Sequence, residues 1–169
     1  MILYHGSTVV VQEPRILKSE QGRDFGFAFY TTDIKEQAER WAKRKAAIER
    51  RKGKENTMPI VSCFEWDKEY SVKTHAVREF RDAGLEWLEL VVRCRSDIYY
   101  QHKYDIIVGK IANDNVGETV SYVLQGIMRK EDAIERLRFE KINNQIAFCT
   151  DKALSALSYK KHYVVDLEE

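Results

Sequence analysis

The chain predicts an α+β domain, and three observations lead there. Strand-like and helix-like segments are mixed along it without the regular strand–helix alternation of a doubly wound sheet. Its 169 residues suffice for one core but fall short of the roughly 250 that an eight-fold strand–helix barrel needs. With 44% hydrophobic residues, Gly 8 and Pro 2, it is neither disordered nor of low complexity. No internal repeat or Pro/Ser-rich linker divides it, so residues 1–169 are expected to form one domain.

Ile2 to Tyr4 reads as an opening strand, followed by a loop around Glu13-Pro14. The flexible Asp24-Phe25-Gly26 turn leads into a strand over Phe27-Ala28-Phe29-Tyr30-Thr31. Asp33 with Glu36 three residues on is a helix start, because the carboxylates can satisfy orphan amides. Ile34, Ala38 and Trp41 then repeat at helical spacing, and that helix runs out near Gly53. Pro59 to Trp66 reads as a strand, and Tyr70 to Thr74 as another. A second helix is expected from Phe80 through Val92, with Leu85, Leu88 and Val92 on one face. Tyr104 to Gly109 is a buried strand by its apolar, β-branched run. Val116, Val120, Val123 and Ile127 form a helical stripe, and Ala133, Ile134 and Leu137 mark a further helix. Gln145 to Thr150 is a strand, Ala153–Leu157 a small helix, and Tyr159 to Leu167 the closing strand.

Lys+Arg 28 against Asp+Glu 27 gives a net charge of +1, which leaves no dominant field for wholesale binding of nucleic acid or anionic membrane. The start of the chain lacks the basic and apolar regions of a signal peptide, and no apolar run reaches the ~18 residues of a membrane span. Cys63, Cys94 and Cys149 are odd in number and far apart, and His5, His75, His102 and His162 are scattered. A cytoplasmic, reduced, metal-free protein with no membrane partner is the expectation.

Five stretches carry candidate chemistry. In Tyr4-His5-Gly6-Ser7 the glycine lets backbone approach a ligand while the imidazole bonds it; the plainer reading is a half-buried histidine beside a turn. In Asp24 to Thr32 three aromatics can wall a slot and Tyr30 can stack on a planar heterocycle, although such a stretch read alone is a core strand. Its Asp-Phe-Gly triplet lacks the other kinase elements, so a kinase is rejected. Asn143-Asn144-Gln145 opens a strand, where amides either cap or, at Gln145, meet a sugar hydroxyl. Asn113 and Asp114 suit a turn and a helix cap. The basic series Lys43, Arg44, Lys45, Arg50, Arg51, Lys52 and Lys54 is interleaved with glutamates and reads as a solvated helix face, with a weak patch for a polyanionic target as the alternative. A Cys–His nucleophile has three thiols to draw on but no local signature.

Taken in order, His5-Gly6, then Gly26 to Tyr30, then a strand-opening Gln145 resembles the His-Tyr-Glu arrangement of diphtheria-toxin/poly(ADP-ribose)-polymerase-type ADP-ribosyltransferases. More closely, the chain resembles a bacterial domain-of-unknown-function family of that superfamily. Tyr-His-Gly-Ser at 4–7, Asp-Phe-Gly-x-x-Phe-Tyr-x-Thr at residues 24–32, Tyr-Asp-Ile-x-x-Gly-x-x-Ala-Asn-Asp at 104–114 and Asn-Gln-Ile at 144–146 carry the likeness over nearly the whole chain. Ala28 stands where relatives often have glycine.

The resemblance implies split, strongly bent antiparallel sheets with flanking helices and an NAD cleft between them. His5 would bond the adenosine-ribose hydroxyl, the Gly6 backbone would hold the nicotinamide amide, and Tyr30 would stack on the nicotinamide ring. Asp24 and Phe25 would shape the cleft. The implied catalytic residues are His5, Tyr30 and Gln145. The implied NAD-contacting set is His5, Gly6, Ser7, Asp24, Phe25, Gly26, Tyr30 and Thr31, with Asn113 and Asp114 as a family feature. NAD is the implied substrate, with no metal. The implied activity is mono-ADP-ribosylation of a protein or nucleic-acid acceptor, as the toxin of a toxin–antitoxin or defence pair with a small neutralising partner. The alternatives are a catalytically weak NAD- or ADP-ribose-binding module, an NAD glycohydrolase, or a non-enzymatic interaction domain.

Gln145 stands where most active transferases have glutamate. Its carbonyl can accept a bond from a ribose hydroxyl, but it supplies no negative charge to an oxocarbenium-like sugar and takes no proton. Charged hydrogen bonds are roughly twice as strong as neutral ones, so slow turnover is expected. His5, with an unperturbed pKa of about 6.5, is expected to be mostly neutral at pH 7.

Overall fold

The computed structural model describes residues 1–18, 23–111, 114–138 and 143–166. The chain opens with β1 (Ile2–Ser7) and β2 (Phe29–Thr31), then α1 (Lys35–Arg51), β3 (Ile60–Trp66), α2 (Lys68–Thr74) and β4 (Val77–Glu79). It continues through α3 (Leu85–Ser96), β5 (Ile106–Ile111), α4 (Asp114–Leu124), α5 (Lys130–Leu137), β6 (Asn143–Phe148), α6 (Asp151–Leu154) and β7 (Leu157–Val164). The fold is α+β, built on a three-stranded sheet in the order β1-β3-β7 and a four-stranded sheet in the order β2-β6-β5-β4. All pairs are antiparallel except β4 with β5, a departure from the antiparallel sheets expected. No helix among the described residues is long and apolar enough to cross a membrane.

Period-2 alternation sorts the strands into layers. Leu3, Phe64 and Trp66 from the first sheet meet Phe29, Ile106, Ile146 and Phe148 from the second, so the sheets pack face to face. Val61 and Cys63, on the opposite face of β3, lie under Ala38 and Ala42 of α1. The outer face of the second sheet, at Ile107 and Ala147, is covered by α3, α4 and α5 together with Phe25. A register shift against β3 between Cys63 and Phe64 puts an extra residue into β7. Tyr159 and Tyr163, four apart in sequence, therefore face opposite sides, one into the inter-sheet core and the other onto the layer under α1.

Several expectations are corrected. Tyr70–Thr74 is helical, not a strand: Asp67 accepts the Tyr70 amide at 2.9 Å and caps α2. The alternation of Tyr70 and Val72 that imitated a strand points both side chains to solvent. The strand of this region is β4, three residues long and too short to show an alternation in the sequence. The Asp33–Glu36 cap is also absent: α1 is entered from Ile34, whose amide is taken by Thr32 Oγ1 at 3.1 Å. The second helix begins at Leu85, because the Phe80 amide still bonds the Val108 carbonyl at 2.8 Å. Its buried face is Trp87, Leu88, Val91 and Cys94, and Leu85 is exposed. Ile127 falls outside α4, past Gly126 at φ 71, and is exposed. The opening strand runs on to Ser7, so His5 and Gly6 sit within it and not at its end. The second strand is shorter than expected and begins at Phe29, while β6 begins at Asn143 and ends at Phe148. The small helix ends at Leu154, and the last strand starts at Leu157.

One contact sets the spacing of the first two layers. A Cβ at Gly6 would lie 2.2 Å from the Ala38 carbonyl oxygen and 2.9 Å from the Ala42 nitrogen. Those are backbone atoms and cannot turn aside, so Gly6→Ala has to push α1 off β1. Overpacking of this kind costs on the order of 3 kcal/mol. Gly117→Ala in α4 has open space around its Cβ and replaces a helical glycine, so it is expected to stabilise by roughly 0.5–1 kcal/mol. Urea unfolding of the two variants measures the contrast directly.

Candidate functional site

Besides their packed faces, the two sheets are joined among the described residues by one backbone bridge. Tyr4 and Thr32 exchange both backbone hydrogen bonds, at 2.8 and 3.0 Å. In an antiparallel ladder of this register the next hydrogen-bonded rung would join Gly6 to Tyr30. Instead β1 and β2 part, and side chains take over the carbonyls of the missing rung. His5 Nδ1 lies 2.7 Å from the Tyr30 carbonyl oxygen, and Lys45 Nζ donates to the Gly6 carbonyl at 2.9 Å. A parallel event occurs beyond the last β2–β6 rung, where Gln37 Nε2 donates to the Asn144 carbonyl at 2.7 Å. The fork is thus lined by β1, β2, the start of β6 and one row of α1.

His5 is half-buried and stacks on Phe29 with centroids 4.4 Å apart. Its Nδ1 faces a carbonyl, which can only accept, so the hydrogen sits on Nδ1 and Nε2 remains an acceptor. Burial, with Lys45 and Arg23 nearby, lowers its pKa to about 3, further than its ordinary value required for neutrality. Gly6 presents its amide N–H on the same side as its carbonyl, toward the gap left by β2. Ser7 is half-buried and pairs with Ile60.

Tyr30 is anchored at its hydroxyl, which donates to the Gly26 carbonyl at 2.5 Å and accepts from the Phe25 amide at 3.2 Å. Gly26 makes this turn at φ 76, a conformation that favours glycine. Burial pushes the phenol pKa well up, so the hydroxyl stays protonated. The Arg23 guanidinium stands 5.6 Å from the ring centroid. Thr31 is fully buried and donates to the Ile146 carbonyl at 2.9 Å.

Gln145 pairs with Gly109 across β5–β6 and is 2% exposed. Among the described residues its Nε2 has no hydrogen-bond partner, and the same holds for Gln37 Oε1. Buried amide atoms in this condition are rare. Lys110 Nζ bonds the neighbouring Asn144 Oδ1 at 3.0 Å.

Asp24 and Phe25, expected to shape a cleft, are both tied into the fold. The Asp24 carboxylate is buried and ion-paired with Arg95, whose Nε donates at 2.9 Å, which ties the loop before β2 to α3. Phe25 is fully buried in the core beneath α3 and α4, stacked on Phe80 at 6.3 Å. Gly109 is needed there, since a Cβ would come within 2.9 Å of the Phe25 ring. Asn113 lies outside the described residues, and Asp114 is the first residue of α4. Burial raises all three thiol pKa values, Cys94 to about 12, so none is a thiolate at neutral pH and a Cys–His nucleophile finds no support. Among the described residues no group of three or more His, Cys, Asp or Glu comes together to hold a metal.

Two surface concavities stand out among the described residues. One of about 430 Å³ is lined by Val10 to Glu13 and Arg15; one of about 670 Å³ is lined by Thr8, Val9, Glu49 and the segment after α1. Most of the basic series behaves as a solvated face, with Lys52 and Lys54 on Glu49 and Arg50 on the Thr57 carbonyl. Lys45, named in that series, is the exception, and Arg23 and Gln37 join it at the fork although the motifs do not include them. The signal was present: Gln37, Trp41 and Lys45 form an i+4 row beside the buried Ala38, Ala42, Ala46 stripe.

The family model described as a protein of unknown function, DUF3990, matches residues 1–159. The chain belongs to this family. Neither curated proteins nor solved structures gave a match. In this DUF3990 chain the match spans every element of the fork, from His5 through Gln145, and ends within β7.

The neutral His5 makes stability depend on pH in one direction. Its folded pKa of about 3 lies below the ordinary 6.5, so between those values the unfolded chain binds a proton that the folded one refuses. This contribution is whole above pH 6.5 and is lost as pH falls toward 3, by at most about 1.4 kcal/mol per pH unit. Urea midpoints at pH 7 and pH 4.5 should converge by that contribution in His5→Gln, which has no such proton to refuse.

Proposed function

We propose that this DUF3990 protein binds NAD at the fork between its sheets and transfers ADP-ribose to a macromolecular acceptor. The reading is supported above all by the meeting of His5, Gly6 and Tyr30 where β1 and β2 part, in the order and residue types of the His-Tyr-Glu transferases. A neutral imidazole with Nε2 free to accept suits a ribose hydroxyl. The Gly6 N–H and carbonyl, freed from the ladder, suit the complementary edge of a carboxamide. The Tyr30 ring, held by its hydroxyl at Gly26, suits a stacking platform that needs no charge.

Gln145 sets the expected rate. Breaking the nicotinamide–ribose bond builds positive charge on the sugar, and a buried neutral amide offers only a dipole to meet it. Losing one preorganised transition-state contact costs on the order of 100- to 1,000-fold. The same residue favours a second reading, in which the fork binds NAD or ADP-ribose with little turnover. Gln145 is buried and aligned in β6, so Gln145→Glu places a carboxylate without rebuilding the backbone.

Incubation with labelled NAD and a lysate is expected to leave label on an acceptor, and His5→Ala is expected to abolish it. Binding of NAD without any transfer, in the wild type and in Gln145→Glu alike, would reduce the function to the binding module. A rise of about 100-fold in NAD consumption in Gln145→Glu would assign the slow step to the missing charge.

A further inference from the structure

We propose that Lys45 is a specificity-determining residue of the fork: it yields the Gly6 carbonyl to an incoming carboxamide and pairs with the diphosphate of the same ligand. This rests on the NAD reading above and names the group that selects for the ligand's phosphates. Lys45 reaches the fork from α1, and its Nζ donates to the one carbonyl that a carboxamide N–H would need. The contact is expensive for a structural cap. The ammonium is half-buried, and burial together with the nearby Arg23 cation lowers its pKa to about 8. Among the described residues it has no carboxylate partner. Glu49, one turn further along α1 and the natural i+4 counter-ion, is already held by Lys52 and Lys54.

A cation half-withdrawn from water, with no carboxylate partner among the described residues, is a site for an anion. Lys45 carries its charge on a flexible four-carbon stem, which suits a phosphate approached as a point charge. A dinucleotide supplies both halves of the exchange: an amide to replace the ammonium at Gly6, and two phosphates to receive it. Nicotinamide alone has to displace Lys45 without compensation, and ADP-ribose offers phosphates without the amide. Lys45 thereby favours the whole ligand over either part.

Calorimetry with nicotinamide, ADP-ribose and NAD on the wild type, Lys45→Met and Lys45→Gln tests this. Lys45→Met keeps the apolar stem but neither charge nor donor, so it should bind nicotinamide about 10-fold tighter and ADP-ribose about 10-fold weaker. Lys45→Gln retains a donor for Gly6 and should weaken ADP-ribose alone. Changes in the same direction for both fragments in Lys45→Met, or ADP-ribose binding unaltered in both variants, would overturn the inference while leaving the NAD reading intact. A wild type that binds none of the three ligands would overturn the NAD reading, and this inference with it.

Discussion

The approach of α1 to β1 at Gly6 is the contact on which the fork depends. With a would-be Cβ at 2.2 Å from the Ala38 carbonyl, helix and strand lie as close as backbones can, and the buried Ala38, Ala42 and Ala46 keep that distance along the helix. Held there, α1 delivers Gln37 and Lys45 to the edge of the sheet. A helix one methyl group farther out would leave both side chains short of the carbonyls they now serve. The His-Gly pair thus joins two requirements in adjacent residues: the glycine admits the helix, and the histidine holds the facing strand.

The fork itself is a problem of unpaired backbone. Two strand edges that separate inside a protein leave carbonyls with no ladder partner, and buried polar groups of that kind are costly. Here three of them are taken by side chains: Tyr30 by His5, Gly6 by Lys45, Asn144 by Gln37. Side-chain donors, unlike a neighbouring strand, can be exchanged for groups of a ligand without unzipping a sheet. That property is what the proposed NAD site would draw on.

Its electrostatics follow from burial. His5 and Tyr30 are kept neutral, the thiols are kept protonated, and the Asp24 carboxylate is neutralised by Arg95. Arg23 stands beside Tyr30 at the fork, and its cation together with burial lowers the Lys45 pKa.

Much of this was legible in the residues. Apolar alternation located the principal strands, and the helical stripes at Val116–Val120 and Ala133–Leu137 located α4 and α5. Local pattern is enough for these because side-chain periodicity is fixed by backbone geometry. It failed where a side chain acts at long range. Asp67 turned an alternating Tyr70–Thr74 into a helix through one cap, and the partners of Asp24 and Phe25, Arg95 and Gly109, come from 71 and 84 residues away, where no local pattern shows them. Lys45 looked like one more solvated lysine, and it became part of the site only when Gly6 let α1 settle on β1. The sequence determined which residues alternate, cap and turn. Packing decided which of them meet, since burial and partnership are properties of the assembled layers and not of any single segment.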